Sequence, residues 1–107
     1  MAKELPNCPV EITLSLMGDR WKLLIVRDLL DGTRRFGQLK NSLTGISQKV
    51  LTQHLRAMEE TGLISRKVYA EVPPRVEYSL TEVGESLKLI HDAMWQWGEA
   101  YQQRINE

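Results

Sequence analysis

Residues 46–64 read ISQKVLTQHLRAMEETGLI, and the spacing of their apolar positions decides the fold. Val50, Leu51, Leu55 and Met58 follow one another at steps of one, four and three, which places them in one stripe along a helix. Ser47 stands where an N-cap hydroxyl is wanted, and Gly62 where a left-handed C-cap is wanted. Opposite the stripe lie Gln48, Lys49, Thr52, Gln53 and Arg56, with His54 to one side. That outer face carries no acid before Glu59, whereas an ordinary solvated helix face mixes signs. Its amide, hydroxyl and guanidinium groups are the kinds that read base edges and phosphates.

On the N-terminal side, FGQLKNSL (36–43) predicts a short helix, and Thr44-Gly45-Ile46 a tight turn in which Gly45 can take positive φ. Short helix, glycine turn and polar-faced second helix together predict a helix-turn-helix over 36–62. On the C-terminal side, residues 63–72 and 75–80 are β-rich runs around Pro73-Pro74, which cannot sit in a central strand and so mark an exposed tip. Ile64, Arg66, Val68 and Ala70 alternate with Ser65, Lys67, Tyr69 and Glu71; on the return, Val76, Tyr78 and Leu80 alternate with Arg75, Glu77 and Ser79. This period of two predicts a strand pair with one face inward. A helix-turn-helix followed by a hairpin over 63–80 is a winged helix, mainly α with a small β-hairpin, and the reading is a DNA-binding module.

At 107 residues, 42% hydrophobic and 26% charged, the chain has the bulk of one globular domain, taken as residues 1–107. No apolar run approaches the ~20 residues of a membrane span, and MAKELPN lacks the apolar stretch of a secretory signal, so a cytoplasmic protein with no membrane partner is expected. Net charge is zero, but unevenly spread. Residues 33–58 hold Arg34, Arg35, Lys40, Lys49 and Arg56 and no acid, while residues 81–107 hold two basic residues against five acidic ones. A neutral protein with a basic face still attracts phosphate, because the attraction acts within a Debye length of ~8–10 Å.

Around this centre the remaining elements follow. Residues 1–7 read as a loose arm. Cys8-Pro9 opens a helix over 9–17, with proline at the first turn where its missing N–H costs nothing. Val10, Thr13, Leu14 and Met17 line one face, Ile12 and Leu16 another, so this helix should touch both its own core and something else. Asp19 is expected to cap a helix over 20–30, apolar nearly all round and therefore central. Thr33-Arg34-Arg35 leads extended into the helix-turn-helix. After Thr81, one long helix is expected from Glu82 to about Ile105, with a seam of Val83, Leu87, Ile90, Met94, Trp97 and Tyr101 at steps of four, three, four, three, four. A small core would use only its start, so residues 81–105 are assigned to dimerisation. A two-fold dimer suits DNA, since paired recognition helices meet successive major grooves ~34–36 Å apart.

Cys8 is the only cysteine, so no intrachain disulfide exists; no zinc cluster and no cofactor are expected. Its place at a helix N-terminus is one where thiols become reactive, but on the residues alone the favoured reading is a small, half-buried apolar side chain packing at the helix start. An enzyme with Cys8 as nucleophile and His54 or His91 as base is disfavoured: the histidines lie on different helices and no oxyanion-hole or phosphate loop is evident.

The assembled residues resemble the HxlR-type, MarR-like winged-helix transcriptional regulators of bacteria and archaea, over Cys8 to Trp97. The matching pieces are Cys8-Pro9-Val10, Trp21-Lys22, Arg35-Phe36 with Leu39-Lys40, and Gly45-Ile46-Ser47-Gln48-Lys49. They continue through Leu51-Thr52, Leu55-Arg56, Glu59, Gly62-Leu63, residues 72–78 (VPPRVEY), Leu80-Thr81, Gly84 and Trp97-Gly98. The resemblance implies a DNA-binding homodimer joined through its terminal helices, acting as repressor or activator. In some members the cysteine matching Cys8 senses oxidants, quinones or aldehydes, which makes Cys8 a candidate redox sensor and a small molecule or oxidant a candidate inducer. The sequence departs from the family at Asp19, often glycine there, at Ala57-Met58, and at His54, which flanks the reading face.

The expected roles are then as follows. Ser47 starts the reading helix at the DNA surface, and Gln48, Lys49, Thr52, Gln53 and Arg56 read or position the major groove. Arg34, Arg35 and Lys40 meet phosphates, while Arg66, Lys67 and Arg75 grip the flanking backbone from the hairpin. Leu87, Ile90, Met94, Trp97 and Tyr101 form the dimer interface. The rival reading is a winged helix used for protein–protein contact without specific DNA binding.

Overall fold

A computed structural model describes residues 4–107; of the arm expected over residues 1–7, the first three lie outside the described residues. In chain order the elements are α1 (Pro9–Met17), α2 (Lys22–Leu30), α3 (Phe36–Ser42), α4 (Gln48–Glu60), β1 (Ile64–Tyr69), β2 (Arg75–Leu80), α5 (Glu82–Glu85) and α6 (Lys88–Ile105). This is the winged helix predicted from the sequence.

The core is built from one face of each central element: Ile25, Val26 and Leu29 of α2, Leu39 of α3, Leu51, Leu55 and Met58 of α4, and Ile64 of β1. Leu43, Ile46 and Leu63, at the turns, close it. The stripe predicted for α4 is thus its buried face, except that Val50 is only half-buried. Gly45 and Gly62 take φ of +91° and +80°, the left-handed region that only glycine enters without strain, and each turns the chain at an end of α4.

Helix α2 begins two residues later than expected. Asp19 caps the turn ahead of it, its Oδ1 accepting the backbone N–H of Trp21 at 2.8 Å and of Lys22 at 2.9 Å. Partial burial alone would raise the Asp19 carboxyl. The N–H groups of Lys22 and Trp21 and the charges of His54 and Lys22 outweigh it and hold the carboxyl below its ordinary 3.8. A depressed folded value means stabilisation that is present above 3.8 and is lost as pH falls through the folded value. Asp19→Ala is expected to cost about 1 kcal/mol at neutral pH. Urea denaturation at neutral and at acid pH checks this: the gap to wild type should close below pH 3.8, and an undiminished gap there would refute the assignment.

β1 and β2 pair antiparallel in the register Ile64↔Leu80, Arg66↔Tyr78, Val68↔Val76, with Arg34 adding a short bridge to Tyr78 (N–H to O at 3.0 and 2.8 Å). β1 ends at Tyr69 instead of continuing to Val72. The face holding Ile64, Arg66 and Val68 is not buried throughout. Ile64 is in the core, but Val68 is 54% exposed, because α4 lies under only the first part of the strand.

The largest correction is at the C-terminus. The single helix expected from Glu82 breaks at Ser86 and Leu87, where Ser86 N–H reaches Glu82 O and Val83 O and Leu87 N–H reaches Gly84 O. The two bonds that span only three residues, to Val83 O and Gly84 O, tighten the chain and end α5 after one turn. Thr81 caps it as predicted, its Oγ1 accepting the Gly84 N–H at 3.1 Å. Gly84 is buried against the Leu63 carbonyl. Beyond the break, α6 has no buried residue: Met94, Trp95, Trp97 and Tyr101 are all more than half exposed. Leu87 packs on the domain's own core and Ile90 is half-buried. In α1 the face expected to hold Val10, Leu14 and Met17 is itself divided: Val10 and Leu14 are exposed and Met17 is buried, while Ile12 and Leu16 of the other face are half-buried, Leu16 against the core.

Candidate nucleic-acid interface

Helix α4 presents its polar face because both of its ends are fixed. Ser47 Oγ accepts the Val50 N–H at 3.1 Å, so the Ser47 hydroxyl serves as the N-cap. At the far end the Leu63 N–H bonds to Met58 O at 2.9 Å across the Gly62 turn. Gln48, Lys49, Thr52, Gln53 and Arg56 together line one shallow, open depression of about 530 Å³. Thr52 donates its hydroxyl to Gln48 O at 2.8 Å, leaving the oxygen as an acceptor. The two glutamines, the lysine and the arginine are exposed, with only Thr52 half-buried.

Arg35 and Lys40, on the lead-in and on α3, are exposed. Gln38 Oε1 accepts the Arg35 N–H at 2.9 Å, which fixes the start of α3. Arg34 is half-buried and donates from Nη1 to Thr33 O at 3.0 Å. Among the described residues, Arg34, Arg35, Lys40, Lys49, Arg56, Arg66 and Lys67 have no ion-pair partner, so their charge is open to an outside anion.

Arg75 is placed differently. Its guanidinium lies 3.5 Å from Glu71 and 3.6 Å from Glu77 and stacks 3.9 Å over the Tyr69 ring, with Lys67 at 4.9 Å from the same ring. The strand register explains the split. Lys67, Tyr69, Arg75 and Glu77 share the outer face of the hairpin, and Arg66 shares the inner face with Tyr78, toward α4. The three basic residues that sequence order groups as one wing therefore divide between two faces.

The sequence placed His54 beside the reading face without its partner Asp19, and it did not bring Tyr78 to this surface. His54 Nε2 lies 3.9 Å from Asp19 Oδ1 and ties α4 to the turn before α2. Tyr78 faces the same space as Arg56, and the cross-strand alternation with Arg66 was the signal that could have found it. Cys8 is a free, exposed thiol at the N-cap of α1. His91 Nδ1 lies 3.1 Å from Asp92 Oδ1.

A domain with this element order and this exposed second helix falls in the class of winged helix-turn-helix regulators. The sequence profile of the HxlR-like helix-turn-helix family matches residues 16–106, and the chain belongs to that family of transcriptional regulators. It is 45% identical over 101 residues to YdeP of Bacillus subtilis strain 168, an uncharacterized HTH-type transcriptional regulator, covering 94% of this chain and 79% of the relative. Among solved structures it is similar to the redox regulator HypR in its reduced form (TM-score 0.87, 40% identity, 92% of this chain and 98% of that one). It is also similar to the reduced form of the B. subtilis transcriptional regulator YodB (TM-score 0.76, 37% identity, 88% and 94%). No helix of the described residues is long and apolar enough to cross a membrane.

Proposed function

We propose that the protein is a homodimeric transcriptional regulator that binds specific double-stranded DNA through α4. The observation that carries this reading is the α4 surface: four exposed hydrogen-bonding side chains around one depression, with no acid among them and unpaired cations beside them. Gln48 and Gln53 offer the forked amides that read base edges in the major groove, Arg56 reads or positions that groove, and Ser47 and Thr52 hold the helix start. Lys49, Arg35, Lys40 and Arg34 supply phosphate contacts, with Arg66, Lys67 and Arg75 at the wing. The dimer joins through Ile90, Met94, Trp97 and Tyr101 of α6, with Leu87 at the domain end of the seam and α1 alongside.

The test is fluorescence anisotropy on duplexes from upstream of the protein's own gene and its neighbours, against scrambled duplex, over a range of salt. Lys49→Ala is expected to weaken both duplexes alike and to lower the salt slope by about 1. Gln53→Ala is expected to cost ~1–3 kcal/mol on the specific duplex and to leave scrambled DNA unaffected. Equal loss on both would remove Gln53 from base reading. The absence of any salt-dependent binding by the wild type would favour the protein–protein reading.

A second reading concerns the signal. Cys8 is exposed at a helix start, and the similar HypR is a redox regulator, so oxidation of Cys8 is proposed to change DNA affinity. Mild oxidant should alter binding by the wild type and not by Cys8→Ser; an identical response from both would leave Cys8 structural.

A further inference from the structure

A second concavity, of about 350 Å³, lies between α4 and the inner face of the hairpin, roughly ten times the ~30 Å³ share of a liquid water. Phe36 and Leu55 line it with apolar surface, Tyr78 forms a wall, and Arg56 and Arg66 line it from α4 and β1. The two arginines stand ten positions apart in sequence, and the Gly62 turn folds β1 back so that they face one space. Glu59 also lines it, yet among the described residues no ion pair joins it to either guanidinium. Two like charges held over a half-apolar cleft without a partner favour an incoming anion. Thr52 adds no donor, since its hydroxyl proton is committed to Gln48 O.

We propose that this cleft is an oxyanion seat that takes one phosphate group, held by Arg56 and Arg66 together, with Glu59 limiting its positive charge. The preferred occupant is a backbone phosphodiester of the bound DNA, which rests on the DNA-binding reading above. Arg56 then positions the helix on the backbone instead of reading a base. A guanidinium is suited to this, because its planar fork matches phosphate oxygens two at a time. The other source of the same chemistry is a free phosphate-bearing molecule, and the experiment separates the two.

The experiment measures duplex binding over a range of salt for wild type, Arg66→Gln, Arg66→Lys and Glu59→Gln, with cooperative melting as the check on folding. Arg66→Gln is expected to weaken specific and scrambled duplex alike, about tenfold, and to lower the salt slope by about 1. Arg66→Lys should restore the slope, and Glu59→Gln should tighten both duplexes about threefold. The DNA-free protein is titrated in parallel with inorganic phosphate at constant ionic strength, following the Arg66 and Tyr78 side-chain resonances. Weak, millimolar occupancy lost in Arg66→Gln supports the seat with the backbone as its occupant. Submillimolar occupancy that displaces duplex supports the seat and assigns it to a free phosphate compound. Wild-type binding of duplex with all variants unchanged and no phosphate response overturns the seat alone. A wild type that binds no duplex refutes the DNA reading, and the phosphate titration then decides the seat by itself.

Discussion

Trp97→Asp is expected to split the proposed α6 dimer into monomers and, with it, to lower affinity for the proposed DNA site by roughly 100- to 10,000-fold. Trp97 is 69% exposed and, among the described residues, stacks only on Tyr101 of its own helix, at 5.2 Å between ring centroids. An exposed tryptophan–tyrosine pair next to Met94, on a helix with no buried residue, is apolar area waiting for cover. In a two-fold dimer each substitution appears twice. Every copy would bury a carboxylate without a partner, at several kcal/mol each. The DNA loss follows from linkage: two joined modules bind with an effective concentration that a monomer lacks, worth ~10²–10⁴. Sedimentation and duplex titration read the two effects separately. A variant that stays dimeric would place the interface elsewhere, and a monomer that still binds its site fully would detach dimerisation from recognition.

Gly84→Ala is expected to destabilise the domain by about 3 kcal/mol, the upper end of what overpacking costs. A Cβ at Gly84 would stand 2.0 Å from the Leu63 carbonyl oxygen and 3.0 Å from Leu80 Cδ2. The carbonyl is not free to retreat. The Leu63 oxygen accepts from the Thr81 N–H at 3.1 Å and from the Thr81 hydroxyl at 3.2 Å, so displacing it opens the joint between β1 and the start of α5. For a domain of this size the loss corresponds to a melting temperature roughly 10–20 °C lower, at fixed protein concentration. Gly37→Ala is the control, since nothing lies within 4 Å of its added Cβ, and it should be near neutral. A Gly84→Ala protein that melts with the control would show that α5 can shift away from β1 at little cost.

The difference between these two glycines also explains how much of the molecule the sequence disclosed. Everything about α4 is local: a cap three residues from the group it caps, a stripe at helical spacing, a glycine at the far end. All of it was legible, and so were the hairpin and the winged-helix class. The role of Gly84 is not local, because it depends on a carbonyl 21 positions earlier, and no spacing rule reports that distance. The break at Ser86 was hidden for a related reason. The apolar steps of four and three run straight across it, from Val83 through Leu87 to Ile90, and the pattern reads as one helix. Of the candidate site, the α4 residues could be named because one helix face holds them all. The split of Arg66 from Lys67 and Arg75 was implicit in the alternation, but which face meets α4 needed the packing of Ile64. The cleft joining Arg56 to Arg66 needed the fold itself.

The break between α5 and α6 has a geometric consequence. An 18-residue helix is a rod of roughly 27 Å at 1.5 Å per residue. Pivoted at its near end, such a rod carries its far end through about 5 Å for each 10° of rotation, by the same helical length. If the dimer is joined through these rods, a small change of angle at Ser86 and Leu87 is magnified into a change in the separation of the two α4 helices. Major-groove registry tolerates little of that against its ~34 Å repeat. The short turn at residues 86–87 would then act as the vernier of the dimer, setting the calibre between half-sites from a point that touches no DNA.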